Sequence, residues 1–311
     1  MVKAAIAGGS GGLGKAIVSA ILATRTHEYI ILSSRASPDD NTYTIDYDDI
    51  DGTKELLEAH QIETVISIIP LYTKDGFDSQ LNLIQAAEQS NCTRRFIPSE
   101  FGLYIDTAQT DMHPSLLYKH ETVHQLEKSK LEFACVHNGV FMDYLVWPQV
   151  PSHLQIQALW VSLAHKMAAI PGDGNNKLVL THSSDVGRFV EALLGFHEWD
   201  QRYFISGDRT TLNRVVDTAE EILGCEFARV YDTPETLSRG NCTLLPPPPL
   251  SGTGIYQATV PGSVEYHIAQ LGMSVVENMA DLPPRTSLDQ LFPSIRALSV
   301  RDAFQLWKDV K

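Results

Sequence analysis

The residues best suited to chemistry stand near the start of the chain, in the loop GGSGGLG at Gly8–Gly14. Gly9, Gly11 and Gly14 fit G-x-G-x-x-G, and Gly8, Gly11 and Gly14 fit G-x-x-G-x-x-G. Glycine at these points lets the backbone turn, lets a pyrophosphate approach it, and lets the next helix pack closely. The helix N-terminus then offers free N–H groups and partial positive charge to an anion. We therefore expect Gly8, Ser10, Gly11, Gly12, Leu13 and Gly14 to bind the phosphates of a dinucleotide. Lys15 is followed by Ala16, so the Gly-Lys-Ser/Thr ending of a P-loop is missing.

Where an acidic residue would bind a ribose hydroxyl, about 20 positions further on, the sequence has Ser33, Ser34 and Arg35. A guanidinium matches a 2′-phosphate through paired hydrogen bonds and full charge. Ser34 and Arg35 thus favour NADP over NAD, and Asp46 fits beside the adenine. A different chemistry is offered by HETVH at His120–His124, a match to H-E-x-x-H for zinc. The following QLEKSKLEF lacks the spaced glycine and third histidine of a metzincin. We read a polar helix face and expect no metal.

The elements that must position these groups alternate. Strands are predicted at Ala4–Ala7, Tyr29–Ser33, Tyr43–Ile45, Thr64–Ile69, Arg95–Pro98 and Phe133–Val136. Between them, helical periodicity covers Gly14–Leu22, Thr53–His60, Ser79–Ser90 and Ser115–Ser129. Such alternation implies βαβ units in a doubly wound, Rossmann-type parallel α/β sheet. We assign residues 1–150 to this NADP-binding domain and 151–311 mainly to a smaller α/β substrate-binding region, some segments of which return to the sheet. In that region Ile156–Ala168 is expected to be partly helical. Asp185–Phe196, Leu212–Leu223 (closed by Gly224) and Val300–Lys308 read as helices. The proline- and glycine-rich stretch 241–263 reads as an extended loop or lid.

Composition narrows the partners. The chain has 311 residues, 38 acidic against 24 basic, a net charge of −14, and 43% hydrophobic residues. That describes a globular protein without the basic surface of a nucleic-acid binder. No apolar run approaches the length of a membrane span. Four scattered cysteines and no signal-peptide core point to reduced thiols and a cytoplasmic location.

The segment RRFIPSEFG (Arg94–Gly102) resembles the signature of the isoflavone-reductase-like, or NmrA-like, branch of the atypical short-chain dehydrogenases. Similar matches continue through HNGVFMDYL (His137–Leu145), IPGDGNNKLVLTHSSDVGRFV (Ile170–Val190) and ISGDRTTLNRVVDTAEEILG (Ile205–Gly224). The resemblance implies an NADPH-dependent reductase of an aromatic or heterocyclic secondary metabolite, with the family's catalytic lysine at Lys119. The Tyr-x-x-x-Lys pair of ordinary short-chain dehydrogenases is absent, since Ser115 stands four residues before Lys119. Lys119 is expected to support a developing oxyanion or hold the nicotinamide ribose, and Glu100 to donate a proton, pair with a cationic substrate or order its loop. Ile68 and Pro70 should pass along the cofactor, with Ser99 and Phe101 at its nicotinamide end. Asn138 and Phe141 follow the sixth strand, at the strand ends where such sheets bind ligands. Tyr104, Trp147 and Trp160 are candidates for the wall of an aromatic substrate or for core packing, and Tyr256 and His267, in or after the proline-rich segment, for descending on the substrate. Two other readings stay open: a non-redox acid–base step such as cyclisation, and a dinucleotide-sensing regulator. Substrate identity and oligomeric state are not written in these motifs.

Overall fold

The structure is a computed structural model and describes residues 1–104, 114–154, 159–246 and 263–310. The described chain divides into two compact units. The first comprises Met1–Phe101, the described part of Ile105–His137, and Val186–Tyr203; the second holds the remainder.

The first unit is built on six parallel strands: β1 Lys3–Ala7, β2 Glu28–Ser33, β3 Thr42–Thr44, β4 Thr64–Ser67, β5 Arg95–Ile97 and β6 Glu132–Phe133. Their order is β3-β2-β1-β4-β5-β6. The crossover helices are α1 Gly12–Thr24, α2 Ile50–Ala59, α3 Lys74–Gln89 and α4 Pro114–Lys128. β1 and β4 are buried almost throughout, as expected for strands covered on both faces. Their side chains join Ile30, Leu32, Leu57, Leu83, Phe96 and Phe133 in one core. The chain direction of the winding reverses between β1 and β4, so the loops leaving these two strands flank the switch point where such sheets bind ligands.

Ser183–Leu194 is a helix whose residues from Val186 onward belong to this unit. A Cβ at Gly187 would lie 2.5 Å from the Ala16 carbonyl oxygen, so glycine permits that helix to rest on the backbone of α1. The predicted strand Phe133–Val136 is divided: Phe133 ends β6, and Cys135–His137 leaves the main sheet, with Cys135 N–H donating to the Gln201 carbonyl at 2.9 Å.

The second unit mixes short strands with helices. Met167–Pro171 pairs parallel with Ala228–Asp232 and antiparallel with Val161–Ser162. Lys177–Thr181 pairs antiparallel with Asp208–Thr211 and parallel with Val140–Phe141. Helices Leu212–Leu223, Val264–Val276 and Val300–Asp309 contribute Val215, Ile268, Phe304 and Trp307 to its core. Gly224 terminates the first of them at φ 65°, as its sequence position predicts.

The helical expectation for Ile156–Ala168 is corrected. Residues 155–158 lie outside the described residues, and Val161–Ser162 and Met167–Ala168 form an antiparallel pair instead. Short apolar runs carry no period that separates helix from strand, and pairing with distant Ala228–Asp232 decides the matter here. Of the expected loop 241–263, residues 247–262 and with them Tyr256 lie outside the described residues.

Candidate active site

The glycine loop leaves β1 at the switch point. Gly8 takes φ 82°, a left-handed conformation that disfavours any side chain, and its N–H donates to the Leu32 carbonyl at 3.1 Å. A Cβ on Gly14 would stand 2.4 Å from Gly8 O and 2.6 Å from Gly9 Cα, so α1 can start only where residue 14 has none. Gly11 differs: a Cβ there meets nothing within 4 Å. Gly11 also sits at the N-cap of α1 with no side chain to cap it. In the same unit, Asp49 and Thr73 cap α2 and α3 with their own side chains. The first-turn donors of α1 are therefore left without a side-chain cap at an electropositive helix end, next to the open space at Gly11. Ser10 is exposed on this loop, Leu13 is buried beneath it, and Ile68 meets it from β4, with its carbonyl 3.2 Å from where a Gly8 Cβ would be. Pro70 is exposed just beyond.

At the end of β2, the Ser33 hydroxyl bridges Arg35, donating to its carbonyl at 2.9 Å and accepting from its N–H at 3.0 Å. This turn sets Ser34 and Arg35 out to solvent. Ser34 and Asp46 line one open depression together with Thr44, Ile45, Tyr47, Asp48 and Ser79. The loops after β1, β2 and β3 thus bring three sequence-predicted groups to the carboxyl end of the sheet.

The loop after β5 and the helix α4 bring the other pair together. Lys119 is about a quarter exposed, with Nζ 3.4 Å from the Phe101 carbonyl and 3.9 Å from Glu100 Oε2. Glu100 is buried, and its Oε1 has no hydrogen-bond partner among the described residues. Burial pushes its carboxyl above the ordinary value, opposed chiefly by the positive charges of Lys119 and Arg202. Ser99 opens this loop, with its N–H bonded to Gln80 Oε1 at 2.9 Å.

Asn138 and Phe141 belong to the second unit. Asn138 is fully buried; its Oδ1 accepts from Gly102 N–H at 2.9 Å and its Nδ2 donates to Gly139 O. Its amide is spent on backbone. Phe141 sits edge-on to Tyr144 with ring centroids 6.4 Å apart. Trp160 is a core residue, and Tyr104 packs edge-on against Phe204 at 5.4 Å. His120 and His124 are exposed on α4, where His124 Nδ1 lies 3.8 Å from Glu127. Among the described residues, no cluster of His, Cys, Asp or Glu is placed to hold a metal ion. No described helix is long and apolar enough to cross a membrane.

Gln80 and Thr122, both completely buried, are given a role by no motif of the sequence. A signal existed. Gln80 falls on the apolar stripe of α3, with Leu83, Ile84 and Ala87 at helical spacing, where a polar residue must find partners.

Strand order, glycine turn and uncapped helix together define a Rossmann-type dinucleotide-binding fold. The NmrA-like family model matches residues 2–241, and the chain belongs to that family. The oxidoreductase BOA1 of Botryotinia fuckeliana is 40% identical over 230 residues, covering 72% of this chain and 77% of that protein. The oxidoreductase swnN of Metarhizium robertsii is 28% identical, covering 98% and 97%. Among solved structures, leucoanthocyanidin reductase from Vitis vinifera with NADPH superposes with a TM-score of 0.74 at 17% identity, covering 99% of both chains.

Proposed function

We propose that this chain uses NADPH to reduce an aromatic or heterocyclic specialised metabolite at an electrophilic C=C, C=N or C=O carbon, with Lys119 on the proton side of the reaction. At the level its family supports, it is an NAD(P)-dependent oxidoreductase. The observation that carries the finer reading is the Lys119 ammonium held between the Phe101 carbonyl and Glu100, on a loop leaving the same sheet edge as the glycine loop.

The residues present fit the cofactor. The empty space beside Gly11 and the uncapped start of α1 suit a pyrophosphate, and exposed Arg35 suits a 2′-phosphate. When bound, NADPH supplies the hydride. Gly8, Ser10, Gly11, Gly12, Leu13 and Gly14 would hold the phosphates, Ser34, Arg35 and Asp46 the adenosine end, and Ile68, Pro70, Ser99 and Phe101 the path toward the nicotinamide. Lys119 Nζ has protons to give to a developing oxyanion or nitrogen anion. Glu100, whose carboxyl burial makes a weaker acid than usual, stands 3.9 Å from Nζ and is suited to resupply that proton through one water. Asn138 acts in this scheme by fixing Gly102, immediately after Phe101. The substrate class, small aromatic molecules, follows the likeness to pinoresinol-lariciresinol reductase.

The buried, unbonded Glu100 oxygen also favours a second reading, in which the pair runs an acid–base step without net reduction. Calorimetric titration with NADPH and NADH, followed by nicotinamide absorbance during incubation with a panel of aromatic and heterocyclic electrophiles, separates the two. The first reading predicts tighter binding of NADPH and its consumption alongside product. Product formed at constant nicotinamide absorbance contradicts it and supports the second.

A further inference from the structure

We propose that Gln80 is a positioning residue for Lys119, locking the loop that carries Glu100 and Phe101 to the helix that carries the lysine. This inference rests on the reading of Lys119 given above. Gln80 lies wholly inside the first unit on α3, with Oε1 accepting from Ser99 N–H at 2.9 Å and Nε2 donating to Thr122 Oγ1 at 3.0 Å. The polarity of this bridge is fixed by its ends. A backbone N–H only donates, so the carboxamide oxygen must face Ser99. Nε2 then faces Thr122, whose single hydroxyl proton is already committed to the Tyr118 carbonyl at 2.8 Å. A lone pair on that hydroxyl is what remains to accept from Gln80.

The two ends of the bridge flank the proposed chemistry. Ser99 directly precedes Glu100 and Phe101, two described residues in reach of Lys119 Nζ. Thr122 stands one turn after Lys119 on α4, on the same side of the helix. A second contact between the helices reinforces the register: Phe77 on α3 stacks on Tyr118, with centroids 4.7 Å apart and planes 17° apart. Apolar packing alone would hold α3 against α4 but would let the β5 loop slide. A directional bond at each end of one buried side chain prevents that slide.

Competitive acetylation with acetic anhydride, read by mass spectrometry on the full-length protein, tests this without a substrate. The readout is labelling at Lys119 relative to exposed Lys177, paired with amide hydrogen exchange across residues 98–103. Gln80→Met keeps length and volume but removes both bonds; Thr122→Val removes the acceptor, and Thr122→Ser keeps it. Loss of the bridge should raise the Lys119 ratio about threefold or more in Gln80→Met and Thr122→Val, the range expected when a hydrogen bond is lost. Exchange at 98–103 should quicken in the same two variants, and Thr122→Ser should match the wild type in both readouts. A wild-type ratio and exchange rate in Gln80→Met overturns the proposal even if the melting temperature falls, as does a Thr122→Ser variant that behaves like Thr122→Val. Labelling reports where the amine is held, not turnover, so either result would leave the role of Lys119 itself to its own variant.

Discussion

The Lys119 ammonium stands 3.9 Å from Glu100 Oε2, while the second oxygen of that carboxyl is buried without a hydrogen-bond partner among the described residues. The pairing is asymmetric. Lys119 reaches partial solvent and a backbone carbonyl, whereas Glu100 bears the desolvation. A carboxyl in that position is stabilised in its protonated form, beside a group that has protons to pass on.

Lys119→Ala should leave the NADPH dissociation constant within a few fold of wild type and lower turnover about a hundredfold to ten-thousandfold, the range for loss of a positioned acid–base group. Parallel calorimetry and steady-state rates check this. A near-native rate would remove Lys119 from the chemistry.

Glu100→Gln should be more thermostable than wild type at neutral pH. The carboxyl has a folded pKa above its ordinary value of 4.5, so the folded state binds the proton more tightly than the unfolded chain. Wild-type stability therefore falls as pH rises from the ordinary value through the raised one. The amide cannot ionise and escapes that loss. Melting curves should coincide more closely in acid and diverge toward neutrality, with the variant higher.

The glycine loop predicts two different failures. Gly14→Ala forces a methyl to within 2.4 Å of a backbone oxygen and should destabilise the fold by about 1–3 kcal/mol. Gly11→Ala meets open space and should leave stability within about 0.5 kcal/mol of wild type. Its loss should appear in NADPH affinity alone. Denaturant titration and calorimetry of the two variants measure the split.

Arg35→Glu should weaken NADPH about 10- to 100-fold, the worth of a charged hydrogen-bonded contact, and leave NADH nearly unchanged. The chain carries a net charge of −14, so no general field substitutes for this one guanidinium. Titrations at low and moderate salt should show the difference shrinking with salt, because Arg35 is exposed.

Much of the first unit was legible because its signals are local. β1 and β4 are unbroken apolar runs, GGSGGLG follows the first of them, and Ser33–Arg35 ends the second strand. The second unit was less legible because its strands are short and their partners remote, as with Met167–Pro171 against Ala228–Asp232. The helix Val264–Val276 starts at the end of a proline- and glycine-rich stretch whose turn signals mask its N-cap Ser263. At the site, types and spacing indicated Lys119 and Glu100 only through the family signature. Their contact depends on Gln80 and Thr122, which are distant in sequence from Ser99 and carry no motif. Asn138 stands at a strand end where the cofactor is expected, and its amide is engaged with Gly102 and Gly139.

Deuterium transfer tests the central claim most directly. NADPH deuterated at the nicotinamide C4 position, on each face in turn, is incubated with the full-length protein and the aromatic and heterocyclic panel, and products are weighed by mass spectrometry. The account predicts one deuterium in the reduced product from one face only, with an equal amount of NADP formed and the reaction suppressed in Lys119→Ala. Product formed without deuterium, and with NADPH unchanged, would contradict a reductase.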